Sequence, residues 1–156
     1  MIQISPITPN DIPNAAVLLD YSWMMHAKKN ELYSAEEFAK DNKALNWLRR
    51  NAADSKFHTL VAKIDAKLAG LICLEIQDCP SYFTHKNQLF VVDVVVAKGF
   101  QRQGVAMELE KSAESLAREL GIHQISGHVD TWNKASQALM QKLHRVKGYE
   151  EWHKIL

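Results

Sequence analysis

Asp93 is the one charged residue in "LFVVDVVV", an eight-residue run that is otherwise wholly apolar. Burial disfavours the charged form of a carboxyl group, so Asp93 is expected to titrate above its ordinary range and to serve as a proton acceptor. The competing reading is a carboxylate tied to a backbone amide or a lysine, with no part in chemistry. Glu75, in the neighbouring run "LAGLICLEI", is a second candidate whose plain reading is a solvated strand residue. Soon after Asp93 the chain reads Gln101-Arg102-Gln103-Gly104-Val105-Ala106 and passes into a long helical pattern. The first turn of a helix leaves its N–H groups unpaired, and the helix dipole adds about half a positive charge there. The successive amides from Gln101 to Ala106 therefore suit a phosphate or pyrophosphate, with Arg102 and Lys98 adding charge at the rim. A glycine in such a turn also serves tight packing alone, which is the other reading of Gly104.

These groups need elements to position them. Ile2, Ile4 and Ile7 predict a short opening strand, and Thr8-Pro9-Asn10-Asp11 a helix start, with a capping hydroxyl and a proline where its missing N–H costs nothing. That helix is expected to fray near Trp23. A second helix is predicted from Ser34, with Glu37 in capping-box spacing, to near Asn51. The runs "FHTLVAKI" and "LAGLICLEI" predict a hairpin around Asp65-Ala66-Lys67, and "QLFVVDVVV" a strand buried on both faces. Ala106, Leu109, Ala113, Leu116, Ala117 and Leu120 repeat with helical period, and Gly121 is a natural C-terminal cap. A strand in "HQISGHVD", a helix in "NKASQALMQKLHRV" and a closing strand in "YEEWHKIL" complete the pattern. The order β-α-α-β-β-β-α-β-α-β implies one α/β domain over residues 1–156, with a parallel strand pair in its second half.

Composition narrows the function. With 19 Lys and Arg against 18 Asp and Glu, the formal charge is +1, which gives no reason to expect nucleic acid as a partner. No apolar run approaches the roughly 20 residues that span a bilayer, and the N-terminus has no signal-peptide pattern, so no membrane role is expected. Cys73 and Cys79 form neither a ligand spacing nor a disulfide framework, which fits a cytoplasmic setting. His58, His85, His123, His128 and His153 are too scattered to suggest a metal site.

"VVVAKGFQRQGVA" followed by a long helix resembles motif A of the GNAT superfamily of acyl-CoA-dependent N-acyltransferases. Its signature is Gln or Arg, two residues, Gly, one residue, then Gly or Ala; Gln101, Gly104 and Ala106 fill the three positions. Asn133, Gly148 and Tyr149 look like later markers of that family. The resemblance implies a mixed, twisted sheet flanked by helices, splayed between two parallel strands to admit the pantetheine arm of coenzyme A. It implies acetyl-CoA as cofactor, with the diphosphate on the amides of Gln103, Gly104, Val105, Ala106 and Met107, the arm along the backbone of Val94, Val95 and Val96, and Asn133 near the arm's far end. Homodimers are common in the family.

Such enzymes let an amine attack the thioester directly. An alkylamine of pKa about 10.4 is unprotonated in only about one molecule in a few thousand at neutral pH, equivalent to roughly 4–5 kcal/mol of barrier. Asp93 is the candidate base, with Glu75 in reserve. The family places a Tyr four residues before its Gly-aromatic pair as general acid. Counting back from Gly148 gives His144, counting forward from Asn133 gives Met140, and neither is Tyr. The difference of one helical turn predicts an extended last helix, with His144 as the candidate acid. Tyr21, Trp23, Met24, Met25 and His26 fall where the family shapes its acceptor pocket. With Tyr33, Tyr82 and Phe83 they predict an apolar acceptor wall, against core packing as the alternative. The reading is an acetyl-CoA-dependent N-acetyltransferase for a small-molecule or peptidyl amine; the rival is a non-catalytic CoA-binding sensor or interaction module.

Overall fold

The computed structural model describes residues 1–149, 151 and 154. The β-branched runs form strands β1 (Gln3–Pro6), β2 (Phe57–Ile64), β3 (Lys67–Asp78), β4 (Asn87–Val96) and β5 (Ile125–Gly127). They make one sheet in sequence order, with the first three pairings antiparallel and β4–β5 parallel. The expected mixed sheet with a parallel pair in its second half is therefore present. The "YEEWHKIL" strand falls largely on residues outside those described.

The helices are α1 (Ile12–Lys29), α2 (Ala35–Phe38), α3 (Lys43–Asn51), α4 (Val105–Glu119) and α5 (Lys134–Lys142), of which α4 covers one sheet face and α1 with α3 the other. On one face Leu60, Ile72, Leu74, Leu89 and Val91 pack with Leu109 and Ala113 of α4. On the other, Val61, Leu71, Cys73 and Val95 pack with Ala15 and Leu19 of α1 and Leu48 of α3. The β2–β3 connection is a two-residue turn in which Asp65 (φ 49°) and Ala66 (φ 62°) are both left-handed, the twist that suits a tight hairpin.

Three expectations about the helices change. α1 begins at Ile12 with Pro13, not Pro9, in its first turn. Thr8 does not cap it: the Asp11 carboxylate accepts from the Thr8 amide (3.0 Å) and hydroxyl (2.7 Å) and pairs with Lys63 (2.6 Å). α1 also continues past Trp23 to Lys29, because its last turn is anchored to a distant loop described below. The second predicted helix divides in two. Ser34 caps α2 as expected, accepting from the Glu37 amide at 3.0 Å, but Asn42 (φ 57°) breaks the run before α3.

Gly121 (φ 69°) closes α4 as predicted: its amide donates to the Arg118 carbonyl (3.1 Å) and the Ile122 amide to the Ala117 carbonyl (2.8 Å). The chain after α5 is tied back by Arg145, whose Nη2 donates to Glu110 Oε2 on α4 at 2.7 Å. Glu110 is fully buried; burial pushes its pKa up despite the Arg145 charge beside it.

Candidate active site

A slip in the sheet decides where Asp93 points. Cys73 of β3 faces Asp93 of β4, yet the next pair is Leu74 with Val91, so Val92 is an extra, bulged residue. Strand side chains alternate, so Val91, Asp93 and Val95 would otherwise share one face. The bulge reverses the alternation. Leu89 and Val91 sit in the α4 core, while Val95 sits in the α1 core. Asp93, two residues from Val95, is thereby turned toward α1.

There Ser22 of α1, itself 2% exposed, donates to Asp93 Oδ1 at 3.2 Å. Burial raises the Asp93 pKa above the ordinary carboxylate range, the outcome expected from its sequence setting. The nearby His26, the hydrogen bonds from Ser22 and Trp23, and the Val94 amide oppose that rise. His26 Nδ1 lies 2.6 Å from Asp130 Oδ2 in the loop after β5, and Asn30 Nδ2 donates to Asp130 Oδ1 at 2.7 Å. The His26 ring packs 5.3 Å from Trp132 and 6.0 Å from Tyr33. Burial, then the Asp130 and Asp93 charges, raise the Tyr33 pKa, so its phenol stays protonated. Trp23 stacks on Phe38 at 5.4 Å and meets Trp47 edge-on at 5.9 Å.

Trp23 and Tyr33 thus gather around Asp93. Met24 is half-buried about 100° further round α1 from Trp23. Glu75 is half-buried on the same sheet face as Cys73 and accepts from Gln77 Nε2 at 2.8 Å. Tyr82 stands 84% exposed in the β3–β4 loop, where its ring meets Phe83 at 5.3 Å. Asp130, Asn30, Ser22 and Trp132 belong to the cluster and were missed. The only sequence signal for Asp130 and Trp132 is "HVDTWN", whose partners His26 and Asn30 lie about a hundred residues earlier.

His144 is not on the last helix. α5 ends at Lys142, and His144 (φ 55°) is an exposed residue in its C-terminal cap. The His144 amide donates to the Gln141 carbonyl and the Arg145 amide to the Met140 carbonyl, both at 3.0 Å. The expected helical extension is this cap instead. Met140 stays on the helix, its sulfur accepting from Arg145 Nη1 at 3.4 Å. Asn133 is the N-cap of α5, its Oδ1 accepting from the Ser136 amide at 3.1 Å.

At the other end of β4 the chain passes through a single 3₁₀ turn, Lys98–Phe100, pinned by Gln103 Nε2 donating to the Gly99 carbonyl at 3.1 Å. Gln101 is extended, Arg102 (φ 62°) and Gly104 (φ 86°) are left-handed, and α4 then begins with no side-chain cap. The Glu108 amide is the first to bond back, to the Gly104 carbonyl at 3.0 Å. The amides of residues 104–107 are left outside the helix ladder. A Cβ at Gly104 would meet nothing within 4 Å among the described residues, which leaves room for a diphosphate beside these amides. Val105 is buried against Gly70, where a Cβ would lie 3.1 Å from Val105 Cγ1 and 2.7 Å from the Val95 carbonyl. Ala106 and Met107 are half-buried.

Between corner and carboxylate the sheet opens. β5 pairs with β4 only at Leu89, Phe90 and Val91. Its last partner, Gly127, approaches so closely that a Cβ would lie 3.1 Å from Val91 Cβ. Val94, Val95 and Val96 pair with Ile72, Leu71 and Gly70 of β3, and among the described residues they have no β5 partner. An uncapped helix start, an open strand edge and a half-buried carboxyl thus follow one another along β4 and just past it.

A mixed sheet whose parallel strands part beside an uncapped helix start is the architecture that the motif in the sequence implied. The chain belongs to the acetyltransferase (GNAT) family, which it matches over residues 21–144. The sequence matches none of the curated proteins with which it was compared. Solved structures share the fold at low identity. A point mutant of the BH1408 protein from Bacillus halodurans is 14% identical, with TM-score 0.86 and 99% of each chain covered. The aminoglycoside N-acetyltransferase AAC(6')-Iy in complex with CoA is 15% identical, with TM-score 0.82 and 100% of this chain and 95% of that one covered. An aminoglycoside acetyltransferase from an uncultured soil metagenomic sample, in complex with sisomicin, is 17% identical, with TM-score 0.72 and coverage of 99% and 96%.

Proposed function

We propose that the protein is an acetyl-CoA-dependent N-acetyltransferase, a single domain over residues 1–156, that acetylates a primary amine of a small molecule or peptide by direct attack. The observation that carries the reading is the bulge at Val92, which delivers the one charge of β4 to the α1 side of the sheet, opposite the α4 core. Bound acetyl-CoA supplies an activated acyl carbonyl. The amides of residues 104–107 hold its diphosphate, and Lys98 and Arg102 screen the remaining charge. The open backbone of Val94, Val95 and Val96 accepts the arm as if it were another strand.

Asp93 then works as the base. Its raised pKa makes it a stronger proton acceptor than an exposed carboxylate, and Ser22 and Trp23 hold it in place. Trp23 and Tyr33 form the wall against which the acceptor's apolar body packs. Two of the neighbours described above act on aminoglycosides, and an amine that is a cation in solution also suits a site holding Asp93 and Asp130. The setting proposed is cytoplasmic; no helix among the described residues is long and apolar enough to cross a membrane.

The rival reading, a CoA-binding module without transferase activity, draws on Met140 and His144, since neither stands as the Tyr that the family uses as acid. Thermal shift with CoA and acetyl-CoA, followed by a thiol-release screen over primary amines, separates the readings. The enzyme binds both and releases thiol only with an acceptor. Binding without release from any amine supports the module, and no binding at all removes both.

A further inference from the structure

We infer that His26, held by Asp130 and Asn30, removes the first proton from the acceptor's ammonium group, leaving Asp93 to take the second. The inference rests on the transferase reading and names how that site handles protons. Converting an alkylammonium and a thioester into an amide, a thiol and one free proton strips two protons from the nitrogen. One leaves before attack, to free the lone pair; the other leaves as the amide forms. One of the two ends on the thiol sulfur and the other in solvent. Asp93, one carboxylate under Ser22 and Trp23, holds one proton at a time.

His26 is arranged for the other. Its Nδ1 lies 2.6 Å from Asp130 Oδ2, and a carboxylate only accepts, so Nδ1 carries the hydrogen and, in the neutral ring, Nε2 keeps the lone pair. Asn30 Nδ2, 2.7 Å from Asp130 Oδ1, fixes the carboxylate in turn. The imidazolium formed on accepting a proton faces two carboxylates: Asp130 from the loop after β5 and Asp93 from β4. Lys29 opposes it, its Nζ lying 4.4 Å over the ring of Trp132, against which His26 also packs. Tyr33 adds no charge, since its phenol stays protonated. The His26 side chain is 25% exposed, so the proton can pass on to water. Beside it, the buried Trp132 Nε1 has no hydrogen-bond partner among the described residues, a donor free for a ligand.

Asp130 and Asn30 are positioning residues, and the test separates position from chemistry. Long-range proton–nitrogen spectra of the unliganded protein should show neutral His26 as the Nδ1–H tautomer, and Asp130→Asn should abolish that preference. An Nε2–H tautomer in the wild type overturns the inference. Thiol release is then measured with ethylamine and trifluoroethylamine, near-isosteric amines of which only the first is mostly protonated at neutral pH. His26→Gln should lose about a hundredfold in kcat/KM with ethylamine but less than about threefold with trifluoroethylamine. Equal losses with both make His26 merely structural and sink the proposal. If wild-type protein releases no thiol with any amine, the transferase reading falls and takes this role with it. Release by the wild type with the wrong tautomer removes the role alone.

Discussion

Asp93→Asn is the substitution with the most to say. Asparagine has nearly the same shape and can still accept the hydrogen bond from Ser22, which reaches Asp93 Oδ1 at 3.2 Å. It cannot take a proton from an amine. General bases contribute about 10²–10⁴-fold, so kcat/KM should fall by at least about a hundredfold, or ~2.7 kcal/mol of transition-state stabilisation. Affinity for CoA should stay the same, because the diphosphate is held by backbone amides past Val96 that the Asp93 side chain does not reach from the α1 face. Stability should move the opposite way. Burial raises the folded-state pKa of Asp93 above its unfolded value of 3.8, so the folded state binds the proton more tightly. That contribution is fully present below the unfolded pKa and is lost as pH rises through the folded one. Above the unfolded pKa the wild type therefore loses stability that the variant, which has no proton to give up, keeps. The variant should therefore melt higher at neutral pH, and its advantage should vanish near pH 4. Steady-state thiol release and melting curves across that range decide it. An unchanged kcat/KM, or a variant less stable than wild type at neutral pH, would falsify the reasoning.

Deleting Val92 should join Val91 and Asp93 in an unbroken ladder opposite Leu74 and Cys73, so Asp93 keeps its α1 face, thiol release survives and urea unfolding shifts by no more than about 2 kcal/mol. A deletion that folds but releases no thiol, or that loses far more stability, would mean that Val92 is not the residue that the ladder leaves out. Gly104→Asp should place a carboxylate over the free amides of α4 and weaken CoA binding at least about tenfold by calorimetry, through occupation of the donors and like charge. Arg145→Met leaves Glu110 buried without its cation, so the unfolding free energy should fall by about 3–5 kcal/mol. Losing Arg145 pushes the Glu110 pKa still higher, so this deficit should be smallest in acid and grow as pH rises, which urea midpoints across pH would reveal.

What the sequence made legible was local. The strand, turn and helix around Gly104 announce themselves within about twenty consecutive residues, because apolar run, glycine and helical period lie side by side. The lone charge at Asp93 stood out for the same reason, and Ser34 and Gly121 capped where their types predicted. The rest depends on pairs far apart in the chain. Nothing near Trp23 says that α1 continues to Lys29; His26 and Asn30 hold its end to Asp130, 104 and 100 residues away. The bulge at Val92 is invisible because all its neighbours but Asp93 are apolar, so neither alternation stands out in the pattern. His144 misled because two spacings disagreed, and a left-handed cap accounts for the discrepancy as readily as an extra helical turn. Asp93 and Asp130 likewise come together, beside Tyr33, only after folding.

Amide chemical shifts of the nitrogen-15-labelled protein during titration with CoA test the central claim most directly. The account predicts the largest changes at the amides of residues 104–107, followed by Val94, Val95 and Val96, with His26 and Asp130 little affected. Saturable binding that leaves the start of α4 unmoved and shifts another surface would contradict it.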